Sequence, residues 1–160
     1  MPLDHAVLHV DGASRGNPGP AGVGVVLADP EGAVLHEVAE NIGRTTNNVA
    51  EYTAWIRGLS LAADFGARQV TIHSDSELII RQLKGDYQVK QPHLRGLHAE
   101  VKRLFNRFER VRVRQIPREQ NADADLLATG AVRGEIDPEG RSVVDFERPR
   151  KAPLQLRAAP

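Results

Sequence analysis

Four carboxylates stand at positions from which they could meet. Asp11 closes the apolar run Ala6-Val7-Leu8-His9-Val10, and Asp75 closes a second run, Gln69-Val70-Thr71-Ile72-His73-Ser74. Glu51 falls in the first turn of one stretch with helical period, and Asp125 in the first turn of another. A run with the length and β-branched content of a buried strand leaves the carboxylate at its end poorly solvated, and a buried charge needs a partner. Acidic side chains that converge with no basic residue among them repel one another unless cations sit between, and oxygen-only ligands suit Mg²⁺ or Mn²⁺. Two such ions about 4 Å apart can activate a water and stabilise the leaving oxygen of a phosphodiester. Each acid also has a plainer role. Glu51 completes a capping box with Asn48, Asp75 caps the helix after it, and Asp125 favours a helix N-terminus.

The elements that must position these residues follow from periodicity. After the first strand comes a turn crowded with glycine, Gly12-Ala13-Ser14-Arg15-Gly16-Asn17-Pro18-Gly19, whose bare backbone admits a phosphate or sugar. By turn rules alone it is an ordinary hairpin. Ala21 to Ala28 reads as a second strand, Asp29-Pro30-Glu31-Gly32 as a turn and Ala33 to Ile42 as a third strand, with Gly22 and Gly24 weakening the second or marking close backbone approach. From Asn48 the apolar residues Val49, Tyr52, Ile56, Leu59 and Ala63 recur at helical spacing, and the helix ends near Gly66. The fourth strand leads into a short helix, Ser76 to Lys84. A loop, a helix over His93 to Phe108 and a fifth strand over Val111 to Ile116 follow. Pro117 ends that strand, Asn121 caps, and Ala124 to Val132 forms the last helix.

This order predicts an α/β fold: a five-stranded mixed sheet, three antiparallel strands then two parallel ones, in the order 3-2-1-4-5 with helices on both faces. The first strand is central, so Asp11 lies beside Asp75 at the strand ends where open α/β sheets bind ligands. The domain spans residues 1–133. Residues 134–160, with Pro138, Pro149, Pro153 and Pro160, read as an extended or disordered tail in which Val143, Val144 and Phe146 offer a short docked strand.

Composition narrows the class. The chain has 160 residues, 41% hydrophobic and 26% charged, as expected of one globular domain. No apolar stretch approaches a membrane span and no signal-like N-terminus is visible, so a cytoplasmic, monomeric protein without a membrane partner is expected. With no cysteine, thiolate chemistry is excluded and any metal must use oxygen or imidazole ligands. His5, His9, His36, His73, His93 and His98 show no ligand spacing and read as strand or surface residues. The net charge of zero hides segregation: residues 1–80 carry ten acidic and four basic side chains, whereas Arg81 to Arg118 holds eleven basic and three acidic. That asymmetry suits a protein that holds cations beside a polyanion, and the run Lys102, Arg103 and Arg107 is the expected phosphate contact.

The sequence resembles type 1 ribonucleases H through Asp11-Gly12-Ala13-Ser14-Arg15-Gly16-Asn17-Pro18-Gly19, Thr45-Thr46-Asn47-Asn48-Val49-Ala50-Glu51, Ser74-Asp75-Ser76 and Asn121-Ala122-Asp123-Ala124-Asp125-Leu126-Leu127-Ala128. The four blocks occur in the family's order. The resemblance implies metal-dependent cleavage of the RNA strand of RNA–DNA hybrids to 5′-phosphate and 3′-hydroxyl ends. It implies Asp11, Glu51, Asp75 and Asp125 as catalytic metal ligands for two Mg²⁺ or Mn²⁺ ions, with Asp125 chosen over Asp123 by its distance from Asn121. It also implies that Gly12, Asn17, Asn47 and Asn48 contact the hybrid across its minor groove, where the 2′-hydroxyls distinguish RNA. The resemblance further implies that Thr46 belongs to the pocket for a DNA-strand phosphate. Many relatives place a histidine in the loop before the last helix; here Arg118 and Glu119 are the candidates to replace it. The aromatic, Lys-rich protrusion of some relatives is reduced to Gly85-Asp86-Tyr87-Gln88-Val89-Lys90.

Two other classes compete. A non-catalytic nucleic-acid-binding module on the same fold is opposed by the presence of all four carboxylates. A phosphate-binding enzyme using the glycine turn lacks a Gly-Lys-Ser/Thr after any strand.

Overall fold

The computed structural model describes residues 3–133, 135–136 and 142–143. β1 (His5–Ser14), β2 (Gly19–Ala28) and β3 (Val34–Thr45) form an antiparallel meander, followed by α1 (Asn47–Asp64), β4 (Gln69–Ser74), α2 (Glu77–Lys84), α3 (Pro92–Phe105), β5 (Arg110–Gln115), a 3₁₀ turn (Arg118–Asn121) and α4 (Ala122–Arg133). The sheet order is β3-β2-β1-β4-β5, with β4 parallel to β1 and β5 parallel to β4. Both crossovers match the sequence expectation.

Strand alternation sorts the core. On one face of β1, Leu8 and Val10 approach Gly58 of α1 and join a cluster containing Trp55, Leu59, Ile72 and Leu104, all buried. The opposite face is covered by α4, which packs on β2, β1 and β3, with Leu127 against Val26 and Ala28. Two glycines set how closely these layers approach. A Cβ on Gly24 would stand 2.2 Å from the Ala124 carbonyl oxygen of α4, and one on Gly12 would stand 2.3 Å from the Ala50 carbonyl carbon of α1. Such distances exclude any side chain, so the first turns of α1 and α4 lie directly against the central strands.

Several boundaries depart from expectation. β1 does not end at Asp11: it runs on through Ser14, pairing Asp11 with Gly24 and Gly12 with Val23. The turn proper is therefore the hairpin closed by Arg15 N–H donating to Pro20 O at 2.8 Å, with a cis Asn17–Pro18 bond. α1 starts earlier than expected because Thr46, not Asn48, is the cap, its hydroxyl accepting from Val49 N–H at 3.2 Å. α3 stops at Phe105, although Phe108 remains buried. Beyond α4, Glu135–Ile136 pairs antiparallel with Ser142–Val143, so part of the expected tail forms two short strands, β6 and β7, and β7 lies beside β3. Val144, Phe146 and the remainder of the tail lie outside the described residues.

Candidate active site

The C-terminal ends of β1, β4 and β5 and the N-terminal turns of α1 and α4 surround an open cleft of about 560 Å³. Its lining includes Asp11, Gly12, Ser14, Asn47, Glu51, Asp75, Ser76, Gln115, Arg118, Asp125 and Thr129. One carboxylate oxygen each from Asp11, Glu51 and Asp75 lie within 4.8 Å of one another. Asp125 lines the same cleft but is not part of that group of three, and its backbone carbonyl accepts from Thr129 Oγ1 at 2.9 Å. Asp123 is on the same turn but does not line the cleft.

Each acid is placed by a different device. Because Thr46 caps α1, Glu51 is free of the capping box and turns across to accept the Gly12 backbone N–H at 2.5 Å. The missing side chain at Gly12 is what brings strand and helix close enough for that bond. Asp75 follows β4, while Ser76, not Asp75, caps α2 by accepting from Ile79 N–H at 3.3 Å. Asn121 is not a helix cap either. It is almost fully buried at the end of the 3₁₀ turn and donates from Nδ2 to Val10 O at 2.8 Å, tying the start of α4 to β1.

Burial and mutual repulsion govern the protonation of the cluster. Asp11 is held far above the usual carboxylate range by burial first and then by the Glu51 charge. Burial also pushes Glu51 up, to about 7, against hydrogen bonds from Asp11 and Gly12 that pull it down. Asp75 is raised, again mainly by burial. Both shifts run in the direction that favours a proton on the buried pair, and a divalent cation would relieve the same repulsion. An oxygen-only, crowded and desolvated donor set fits Mg²⁺ or Mn²⁺.

The other expected site residues fall around this cluster. Gly12 and Asn47 line the cleft, and Asn17 Oδ1 accepts the Asn47 backbone N–H at 3.0 Å, which couples the β1–β2 hairpin to the start of α1. Thr46 is committed to its capping bond and, like Asn48, is half-buried beside Asn47. Arg118 lies on the rim, its Nη2 4.0 Å from Asp125 Oδ1.

Sequence reasoning missed a buried histidine pair beneath the acids. His9 and His73 stack with ring centroids 4.2 Å apart, and His73 Nδ1 lies 3.1 Å from Leu8 O. They are not surface residues: burial, reinforced by the mutual repulsion of the two rings, lowers His9 to about 3. His73 is also lowered, chiefly by burial. Their positions two residues before Asp11 and Asp75, with the same strand parity, were the available signal.

The family model described as reverse transcriptase-like matches residues 9–131. Over 124 residues the chain is 43% identical to the ribonuclease HI of Halobacterium salinarum, covering 78% of this chain and 62% of that protein. It is 43% identical over 127 residues to the bifunctional protein Rv2228c of Mycobacterium tuberculosis, covering 79% of this chain and 35% of that one. The chain therefore spans less than two thirds of the length of these relatives. Among solved structures, RNase H1 of Halobacterium salinarum superposes with a TM-score of 0.79 at 41% identity, covering 81% of this chain and 98% of that one. LC11-RNase H1 in complex with an RNA/DNA hybrid gives 0.76 at 44% identity, covering 80% and 96%.

Proposed function

Because this chain belongs to the type 1 ribonuclease H family, we propose that it hydrolyses the RNA strand of RNA–DNA hybrids, leaving 5′-phosphate and 3′-hydroxyl ends. The observation that carries this reading is the cluster of Asp11, Glu51 and Asp75, with ligand oxygens within 4.8 Å and no cationic side chain among the three. Asp125 joins them as the fourth ligand in this proposal, and the set holds two Mg²⁺ or Mn²⁺ ions once substrate is present. When bound, the ions supply an activated water and compensate the charge that develops on the leaving oxygen.

The chain's own groups do the positioning. The Gly12 N–H fixes the Glu51 carboxylate by holding its Oε1. Gly12, Asn17, Asn47 and Asn48 form the wall that meets the hybrid's minor groove, prearranged by the Asn17–Asn47 bond. Thr46, at the N-terminus of α1, contributes to holding a DNA-strand phosphate, a location where backbone N–H groups favour an anion. Arg118 takes the place of the family's loop histidine as a fixed cation, drawing the phosphate toward Asp125 rather than relaying a proton. The enzyme acts as a cytoplasmic monomer in this reading; no helix among the described residues is long and apolar enough to cross a membrane.

The test is cleavage of end-labelled hybrid, double-stranded RNA and DNA with Mg²⁺, Mn²⁺ or chelator. Metal-dependent cutting confined to the RNA of the hybrid is expected. Binding without cutting in either metal would instead assign the chain to the non-catalytic modules of this fold.

A further inference from the structure

Among the described residues, the face of the sheet that carries Asp11 and Asp75 is packed by α4 chiefly over β1, β2 and β3. On its uncovered side, β5 presents Val111 and Val113 to the core and Arg110, Arg112 and Arg114 to solvent, all three exposed. Their register is fixed by pairing with β4: Arg110 is level with Gln69, Arg112 with Thr71 and Arg114 with His73. His73 is two residues short of Asp75 on the same strand. At about 3.3 Å per residue, Arg114, Arg112 and Arg110 stand roughly 7, 13 and 20 Å along the strand direction from Asp75. The strand they occupy continues through Gln115 into Arg118 on the cleft rim. Among the described residues none of the three makes an ion pair, while the adjacent acid Glu109 lies 3.5 Å from Arg68.

We propose that Arg110, Arg112 and Arg114 form a second nucleic-acid contact, a ladder of guanidinium groups that grips one phosphate backbone of the hybrid where it leaves the cleft along β5. This rests on the hydrolase reading for the identity of the polyanion. Three unpaired like charges at alternate positions of one edge strand repel one another, and they are relieved by an anion with charges repeated along its length. Guanidinium groups bind phosphate through paired donors, and nothing in a ladder of this kind reads bases, so the contact is blind to sequence. It anchors the duplex on the β5 side of the cleft, away from the wall formed by Asn17 and Asn47.

The test uses the full chain carrying R110T, R112T and R114T, since threonine keeps strand propensity. Binding to a hybrid of about 20 base pairs is measured across a salt series in an Asp11→Asn background, which prevents cutting, and steady-state cleavage is measured without that change. The ladder predicts affinity lowered at least about tenfold at about 0.15 M salt and a slope of log K against log salt smaller by about 3, one for each phosphate that an arginine no longer neutralises. KM rises by a similar factor while kcat stays within about twofold of the parent. Unchanged affinity and slope in a parent that cuts hybrid would overturn the ladder and leave the hydrolase reading intact. If the triple variant instead loses thermal stability with affinity unchanged, the arginines hold another segment of this chain and the proposal also falls. A parent that cuts no hybrid, yet whose nucleic-acid binding collapses on the triple substitution, would sustain the ladder and sink the hydrolase reading.

Discussion

The carboxylate set divides into two unlike halves. Asp11 and Glu51 are 6% and 5% exposed, locked between a central strand and α1 and tied by the Gly12 N–H. Asp75 is half-buried at a strand end, and the Asp125 side chain is 32% exposed on a helix that begins from a four-residue 3₁₀ turn. The difference teaches a division of labour. The buried half is preorganised and costs stability until a cation or proton arrives, whereas the open half is free to adjust to an incoming ligand.

The largest effect expected is from Asp11→Asn. Cleavage of hybrid should fall about a thousandfold or more, roughly 4 kcal/mol of barrier. In chelator the same substitution should stabilise. The folded-state value of Asp11 is raised above its ordinary 3.8, so the stability cost is absent below that pH and grows as pH rises toward the folded value. The variant should therefore melt higher than wild type at pH 8, by roughly 3–6 °C, and equally with it near pH 4, as followed by circular dichroism. A lower melting point at pH 8 would remove the strained-pair description.

The open half is tested by a comparison of neighbours. Asp125→Asn should lower kcat about a hundredfold, and Asp123→Asn by less than about threefold, because only Asp125 lines the cleft. Equal losses would mean that the register set by Asn121 is wrong. The strand–helix contact that locks the buried half is probed by Gly12→Ala. Its Cβ would meet the Ala50 backbone, and denaturant unfolding should show about 1–3 kcal/mol of destabilisation alongside reduced activity. The smallest effect concerns what releases Glu51 from capping. Thr46→Ala should cost about 1 kcal/mol of stability and Asn48→Ala almost none, since the capping bond belongs to Thr46.

Much of this frame was legible in the residues. The change from alternation to helical spacing near Asn48 reveals α1, although its cap is Thr46, and the direct run of β4 into Asp75 sets that acid level with Asp11 on a neighbouring strand. What escaped the sequence is tertiary in origin. That β1 continues through Gly12 depends on pairing with Val23 of the next strand, whereas local rules read Gly12 as the start of the turn. Asn121 looked like a cap because capping is what an asparagine before a helix does locally, but a buried bond to Val10 O across 111 residues took precedence. The stacking of His9 on His73 was hidden for the same reason: no ligand spacing links them, and only the parallel register of β1 with β4 sets the rings face to face.

The central claim is that the buried acids exchange a shared proton for a divalent cation. The direct measurement is calorimetric titration of the substrate-free chain with Mn²⁺ at pH 7, repeated in buffers of different ionisation enthalpy so that proton release is counted. Binding should release about one proton per protein in the wild type, because the Asp11–Glu51 pair must give it up to bind metal, and much less in Asp11→Asn. Mn²⁺ binding with no proton release, or release of equal size in the variant, would contradict it.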